Sequence, residues 1–270
     1  MERKRLGYKN SSIGYECFGS GSDYIFAFHG YAQAAYRWEI ITPYLNKKFT
    51  LVAFDLPYHG NTTWSENDTF TPQELLDIIK QILPISAQQF YLLGYSMGGR
   101  IALCLLQLAP QMIKGVVLLA PDGLHRNKWY RFATQTGVGR SLFYNTMKKP
   151  KLLIRLAKGL QKRGVINEGQ LTMAQYYLND ETTRMQLYHR WMITRYFQPN
   201  LFLLKQKLIK YGVPVEMVFA RHDKIIIAHH GVNFIKGLEK QAHLHILETG
   251  HSFLFSPQAP FIASLLNDDK

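Results

Sequence analysis

Short runs of apolar and aromatic residues alternate along the chain with longer segments in which apolar residues recur every three or four positions. The runs predict buried β-strands, and the spaced segments predict amphipathic helices. Because the strands are almost continuously apolar, we expect an α/β fold with a mostly parallel sheet that helices cover on both faces. The predicted strands are residues 24–28, 49–54, 90–94, 113–120, 214–220 and 243–247, and the predicted helices are residues 34–47, 71–83, 98–109, 232–240 and 261–267.

The middle of the chain breaks this rhythm and carries the excess positive charge. Residues 124–212 show helical periodicity without a strand pattern, and they hold 17 Lys and Arg residues against 3 acidic residues. The remaining 15 basic and 16 acidic residues nearly cancel. We therefore expect a strongly basic helical insertion at 124–212 between two parts of one α/β core, 1–123 and 213–270.

The composition suits a folded protein in a reducing compartment. Of 270 residues, 47% are hydrophobic and 19% are charged, which is far too apolar for a disordered chain. Cys17 and Cys104 make no disulfide framework and lack the spacing with histidines that a zinc site requires. The first residues lack the apolar core of a signal peptide, and no later run reaches the roughly 18 apolar residues of a membrane span. We expect a soluble, cytoplasmic protein.

The sequence Gly94-Tyr95-Ser96-Met97-Gly98 matches the pattern G-x-S-x-G. It lies at the end of a predicted strand and directly before a predicted helix, where a sharp turn needs small residues on both sides and exposes the central hydroxyl. A serine hydroxyl becomes a good nucleophile when a neutral imidazole accepts its proton and a carboxylate orients that imidazole. The pattern therefore marks Ser96 as a candidate nucleophile.

Candidates for the two partners follow later strands, in the chain order serine, acid, histidine that is typical of a serine on such a turn. His251 follows the last predicted strand and Asp223 follows the strand before it. Asp122, after an earlier strand, is the alternative acid. For the oxyanion that forms on attack, we expect the backbone N–H groups of Met97 and Tyr31 as donors.

These motifs together resemble the α/β-hydrolase superfamily, in its branch with a helical cap inserted after the sixth strand. The resemblance covers nearly the whole chain and implies a mostly parallel eight-stranded sheet and a Ser96, His251 and Asp223 triad under the cap. The chain has Tyr58 where the family usually has glycine, and it lacks the glycine before the acid and the proline after it. The motifs are His29-Gly30, Asp55-Leu56-Pro57-Tyr58-His59-Gly60, the turn at Ser96, Asp223 and Gly250-His251.

We expect His29, Gly30 and Tyr95, which adjoin the candidate groups, to contact a small-molecule acyl substrate. The basic insertion has three interpretations: a solvated positive face, an electrostatic funnel for an anionic substrate, or attachment of residues 151–163 to anionic lipid. The mixture of basic and aromatic residues also suits nucleic acid. A pocket lining is the favoured interpretation for the aromatic residues, so we expect no nucleic-acid partner.

The predicted function is cofactor-independent hydrolysis of an ester or thioester through an acyl-enzyme on Ser96, with no metal. Serine at the turn, where an aspartate nucleophile would be required, argues against haloalkane dehalogenase or epoxide hydrolase chemistry. One alternative is a carbon-carbon bond hydrolase or lyase of the same superfamily, acting on a carboxylated substrate. The other, from a different class, is a ligand receptor that has this fold and no turnover.

Overall fold

A computed structural model describes residues 2–66, 69–125, 127–164, 178–252 and 256–267 of the chain. Positions 126 and 165–177 of the predicted insertion lie outside the described residues, and so do the side chains at 152, 157 and 160. The described strands are β1 (Glu2–Tyr8), β2 (Ser11–Phe18), β3 (Asp23–Phe28), β4 (Phe49–Phe54), β5 (Phe90–Tyr95), β6 (Ile113–Leu119), β7 (Val215–Ala220) and β8 (Ala242–Leu247).

These residues form one eight-stranded sheet in the order β1-β2-β4-β3-β5-β6-β7-β8. β1, β2 and β4 pair antiparallel, and every neighbouring pair from β4 across to β8 is parallel. The predicted mostly parallel eight-stranded sheet is thus confirmed. The apolar runs do not reveal β1 and β2, because β1 is an exposed edge strand with polar side chains and β2 mixes small and polar residues with apolar ones.

The predicted helices 71–83, 98–109 and 261–267 lie close to described helices, whereas the predicted helix 232–240 begins earlier and ends at Ile235, before Gly237 at φ +81°. The described helices are α1 (Pro72–Ile82), α2 (Met97–Leu108), α3 (Lys128–Gln135), α4 (Gly137–Lys148), α5 (Lys151–Lys162), α6 (Glu181–Ile193), α7 (Leu201–Tyr211), α8 (Ala228–Ile235) and α9 (Ala259–Asn267). Thr71 and Glu74 form a capping box at the start of α1. The predicted helix 34–47 is instead a 3₁₀ helix, Ala35–Tyr44, with Pro43 inside it. Proline has no N–H and its ring crowds the preceding turn of a helix.

The central strands supply the core. Every residue of β4 and of β7 is buried. The ring of Phe54 stacks on Phe26 and on Phe28, with centroid distances of 5.9 and 5.8 Å. Burial on both faces is typical of a parallel sheet and leaves the strand ends as the places where loops meet solvent. Loops at the carboxyl edge can therefore bear functional side chains, and the buried strands fix the positions of these loops.

The chain divides into two compact units, and the dividing points differ from the predicted ones. Unit 1 comprises Met1–His125 and Tyr196–Lys270, and unit 2 comprises Arg126–Arg195. The sequence-based boundaries of 124 and 212 assign α7 to the insertion, whereas the structure assigns it to unit 1. Leu204 and Leu208 of α7 are buried there. This helix is basic on its more exposed side, so a count of charged residues groups it with the insertion. Its buried side belongs to unit 1.

Unit 2 has a small core of its own. Met147, Leu178, Tyr188 and Met192 form a buried cluster. The buried guanidinium of Arg184 donates hydrogen bonds to the carbonyl oxygens of Met147 at 2.7 Å and Leu178 at 2.6 Å. A buried cation needs such acceptors to offset its lost hydration. Arg184 therefore joins α6 to the end of α4 within this unit.

Candidate active site

The residues expected to carry chemistry lie at one edge of the sheet. Ser96 directly follows β5, Asp223 lies three residues after β7, and His251 lies four residues after β8. These strands run parallel, so their carboxyl ends share an edge. In open α/β sheets, ligands bind outside the carboxyl ends of the strands. The loop after β3, with Tyr31, reaches the same edge.

The turn at Ser96 has the strained geometry that the sequence pattern predicts. Ser96 adopts φ +51° and ψ −112°, in the left-handed half of backbone space that costs a non-glycine residue about 1–3 kcal/mol. A Cβ atom at Gly98 would overlap the carbonyl group of Phe28, and one at Gly94 would lie 2.6 Å from the Gly98 oxygen. Both glycines are therefore required for the close packing of α2 on the sheet.

The imidazole of His251 pairs with the carboxylate of Asp223. The distance from His251 Nδ1 to Asp223 Oδ2 is 2.6 Å, and the Asp223 side chain is fully buried. The other oxygen, Oδ1, accepts hydrogen bonds from the N–H groups of Ile225 at 2.7 Å and Ile226 at 2.9 Å. A carboxylate held in this way accepts a hydrogen bond from the Nδ1–H group of a neutral imidazole, which leaves Nε2 as a base.

The alternative acid, Asp122, is engaged elsewhere. Its Oδ2 lies 3.4 Å from Nη1 of Arg100, a buried residue of α2, and its Oδ1 accepts a hydrogen bond from the N–H of Gly123 at 2.7 Å. Its backbone N–H donates to the carbonyl oxygen of Ser96 at 2.9 Å. Asp122 thus supports the turn at Ser96, while the carboxylate at His251 is that of Asp223.

Tyr95 joins the serine turn to the histidine loop. Its hydroxyl donates a hydrogen bond to the carbonyl oxygen of His251 at 2.6 Å, and its ring centroid lies 5.4 Å from that of the imidazole. Burial, together with the nearby charge of Asp223, raises the pKa of the phenol to about 12. The Tyr95 side chain is buried and its hydroxyl binds protein backbone, and the contact of Tyr95 with substrate stays a prediction.

The loop after β3 is held by buried polar groups. The His29 ring is fully buried; its Nε2 accepts from the N–H of Leu56 at 3.1 Å, so its Nδ1 carries the proton and donates to the Gly30 carbonyl at 2.7 Å. A Cβ atom at Gly30 would lie 2.8 Å from the Tyr95 ring. Both residues thus support the backbone that leads to Tyr31, and their contact with substrate stays a prediction.

Asp55 and His59 complete this support, and the sequence analysis assigned them no role. The Asp55 carboxylate accepts hydrogen bonds from the N–H groups of Ala35 at 2.7 Å and Asn61 at 2.8 Å. His59 Nε2 accepts from the N–H of Ala32 at 3.3 Å. The motif at residues 55–60 contains both residues, but the sequence does not show that they support the loop after β3. Tyr58 in this motif has φ +63°, which explains the family's preference for glycine there.

Met97 is the first residue of α2 and is buried. The first N–H groups of a helix have no acceptor within the helix, and the helix dipole makes that end positive. Among the described residues, no group of three or more His, Cys, Asp or Glu side chains has the arrangement that holds a metal ion. In the same part of the chain, each helix is too short or too polar to cross a bilayer.

Comparison with known protein families identifies the family of the chain. A family model described as the α/β-hydrolase fold matches residues 24–257. The chain belongs to this family. The match spans β3 to the end of β8 and includes the Ser96 turn, Asp223 and His251.

Individual members of the family are similar to this chain at low identity. The uncharacterized hydrolase YugF of Bacillus subtilis is 23% identical over 253 residues, which cover 92% of this chain and 90% of that protein. The pimeloyl-(acyl-carrier protein) methyl ester esterase of Aeromonas hydrophila is 28% identical over 130 residues, 47% of this chain and 50% of that enzyme. A thermophilic esterase of Thermogutta terrifontis superposes over 98% of both chains with a TM-score of 0.67 at 14% identity, which shows a shared fold.

Proposed function

We propose that this α/β hydrolase cleaves carboxylic esters or thioesters, with Ser96 as nucleophile, His251 as general base and Asp223 as the acid that orients it. The observation that carries the proposal is the 2.6 Å pairing of His251 with the buried Asp223, at the sheet edge that also bears the strained Ser96 turn. An imidazole whose Nδ1–H group donates a hydrogen bond to a carboxylate presents Nε2 to accept the proton of a serine nucleophile.

The reaction follows from these groups in two halves. In the first, Ser96 Oγ attacks the acyl carbon while its proton passes to His251 Nε2, and the tetrahedral oxyanion accepts hydrogen bonds from the N–H groups of Tyr31 and Met97. The proton then moves from His251 to the leaving alcohol or thiol, which departs and leaves an acyl-enzyme. In the second half, water loses a proton to His251 and attacks the acyl carbon. His251 then returns this proton to Ser96 Oγ as the bond from Oγ to the acyl carbon breaks, so the carboxylic acid is released and the serine is restored.

The relatives support an ester or thioester as substrate. The Aeromonas protein is a methyl ester esterase and the Thermogutta protein is an esterase, whereas the Bacillus relative is described as a hydrolase. The chain spans about half the length of the Aeromonas enzyme in their alignment, so the acyl group is left to experiment. Carbon-carbon bond cleavage with the same three side chains is the alternative, and the two reactions differ in the bond that the acyl-enzyme step breaks.

The experiment compares the wild type with Ser96→Ala on chromogenic esters of short and medium chain length, and labels the same samples with a fluorophosphonate. We expect turnover and labelling in the wild type and neither in the variant, because the probe reacts only with an activated serine. Ser86→Ala is the control, since Ser86 lies exposed in the turn between α1 and β5. Its turnover and labelling should equal those of the wild type.

Other outcomes redirect or reject the proposal. Labelling of Ser96 without turnover of any ester or thioester would reject ester hydrolysis and favour a carbon-carbon bond substrate. Labelling that persists in Ser96→Ala would place the nucleophile at another residue. Neither labelling nor turnover in the wild type would favour a ligand receptor that has this fold.

A further inference from the structure

The helices at the start of unit 2 carry basic residues and no acidic residue of their own. Residues 127–164, which contain α3, α4 and α5, include no Asp or Glu. A charged surface of one sign attracts a partner of the opposite sign and repels itself. The basic residues of this stretch are Lys128, Arg131, Arg140, Lys148, Lys149, Lys151, Arg155, Lys158, Lys162 and Arg163.

The start of α5 lacks the electrostatic features that usually stabilise the first turn of a helix. Its N-cap residue, Pro150, makes no side-chain capping bond, and its first turn contains no acidic residue. Lys151, Arg155 and Lys158 are separated by four and three positions, so they adjoin on one side of the helix and repel one another. An anionic surface near these residues would turn this repulsion into attraction.

The same three helices expose large apolar side chains. Trp129 is 81% exposed and Val138 is 74% exposed. Side chains three or four positions apart share a helix face, so each of these helices presents an apolar stripe to solvent. The exposed pairs are Trp129 with Phe132 on α3, Val138 with Leu142 on α4, and Leu153 with Leu156 on α5.

These stripes are distinct from the sides that pack in the core of unit 2. α4 buries Met147 in that core, and Ile154 of α5 packs against the same cluster. At about 100° per residue, Leu156 lies roughly 160° around the helix from Ile154. The basic residues Lys151, Arg155 and Lys158 lie roughly 100–160° around the helix from Leu156, so α5 has the separate apolar and basic sides of an interfacial helix.

We propose that the exposed apolar stripes and the basic residues of α3, α4 and α5 bind the surface of an anionic lipid bilayer. Lys and Arg side chains would pair with lipid phosphates, and Trp129 and the aliphatic pairs would enter the region between headgroups and acyl chains. An acidic protein or a nucleic acid offers the same charge, but it provides no apolar phase for Val138, Leu142 and Leu156. The combination of both features on the same helices favours lipid.

The test measures binding of the full-length Ser96→Ala protein to sedimented vesicles of phosphatidylcholine, with and without phosphatidylglycerol. We expect binding to the mixed vesicles only. Because each basic residue near an anionic surface contributes about fivefold, K151E/R155E/K158E should lower the partition coefficient by at least about a hundredfold. Trp129→Ala should lower the partition coefficient by about tenfold. Vesicles with brominated acyl chains should quench the fluorescence of Trp129, and this part of the quenching should be absent in Trp129→Ala.

K47E/K80E/K240E is the matched control, because it makes the same change in net charge at exposed lysines of unit 1. It should bind as the parent protein does, and circular dichroism should show both triple variants folded. An equal loss in the two triple variants would mean a non-specific charge effect and would overturn the proposal. So would equal binding to vesicles without phosphatidylglycerol, or binding to a labelled oligonucleotide or an acidic carrier protein without binding to vesicles.

Discussion

The hydroxyl of Tyr95 lies 2.6 Å from the carbonyl oxygen of His251 and donates a hydrogen bond to it, although 156 positions separate the two residues in the chain. Tyr95 immediately precedes Ser96, and its ring also packs against His251 and the loop at Gly30. One buried side chain therefore connects the three loops that hold the proposed nucleophile, base and oxyanion donor. Small displacements among such groups cost rate, because the reacting atoms must meet in a narrow geometry.

Removing the Tyr95 hydroxyl should slow turnover more than it weakens substrate binding. A hydrogen bond of this kind contributes about 0.5–1.5 kcal/mol, so Tyr95→Phe should lower kcat by up to about tenfold with KM nearly unchanged. The rate of fluorophosphonate labelling should fall in parallel. Tyr91→Phe, on the same strand, is the control and should keep the wild-type kcat. A Tyr95→Phe enzyme with normal kcat and a lower melting temperature would mean that Tyr95 serves stability alone.

The carboxylate that orients His251 should be revealed by comparing two isosteric substitutions. Asp223→Asn removes the carboxylate that accepts the hydrogen bond from His251 Nδ1–H and stabilises the imidazolium. We therefore expect kcat to fall by about 10³- to 10⁴-fold. Asp122→Asn affects the pairing with Arg100 and should leave kcat within about threefold of the wild type. Steady-state kinetics on one ester measures both. If the larger loss occurs at Asp122, the assignment of the acid is wrong.

The pH dependence of kcat/KM should have an acid limb and no alkaline limb from Tyr95. Protonated His251 cannot accept the serine proton, so activity should fall on acidification. The Tyr95 pKa of about 12 lies above the assay range, so its phenol keeps the proton that it donates to His251 at every pH below about 10. A flat profile on the acid side would contradict the role of His251 as the base.

The buried network around Asp55 should make Gly60 intolerant of a side chain. A Cβ atom at Gly60 would overlap the Asp55 carboxylate, and Gly60 has φ +50°, so Gly60→Ala should lower the free energy of unfolding by at least about 2 kcal/mol. Gly7→Ala on β1 is the control, since no atom lies within 4 Å of the added Cβ, and its effect should stay within about 0.5 kcal/mol. Urea denaturation measures both. Equal stability of the two variants would contradict the proposed crowding at Gly60.

The sequence by itself determined the class of fold and the identity of the nucleophile turn. Strands buried on both faces must be apolar along their whole length, so β3 to β7 appear as apolar runs. The turn at Ser96 needs glycines because backbone atoms of Phe28 and Gly98 crowd Gly98 and Gly94. Both signals arise from neighbours along the chain or from burial alone, and such local requirements leave a direct pattern in the residues.

Only the tertiary structure decided which acid meets His251, which unit α7 joins and what Tyr95 and His29 do. Asp122 and Asp223 each follow a strand of the same edge, and their sequence contexts differ little; the pairing of Asp122 with Arg100 and of Asp223 with His251 distinguishes them. Tyr95 and His29 lie beside the proposed catalytic groups in the sequence, yet their side chains point into the protein and bind backbone. Contacts between residues far apart in the chain depend on distances and directions, which a pattern of residue types does not contain.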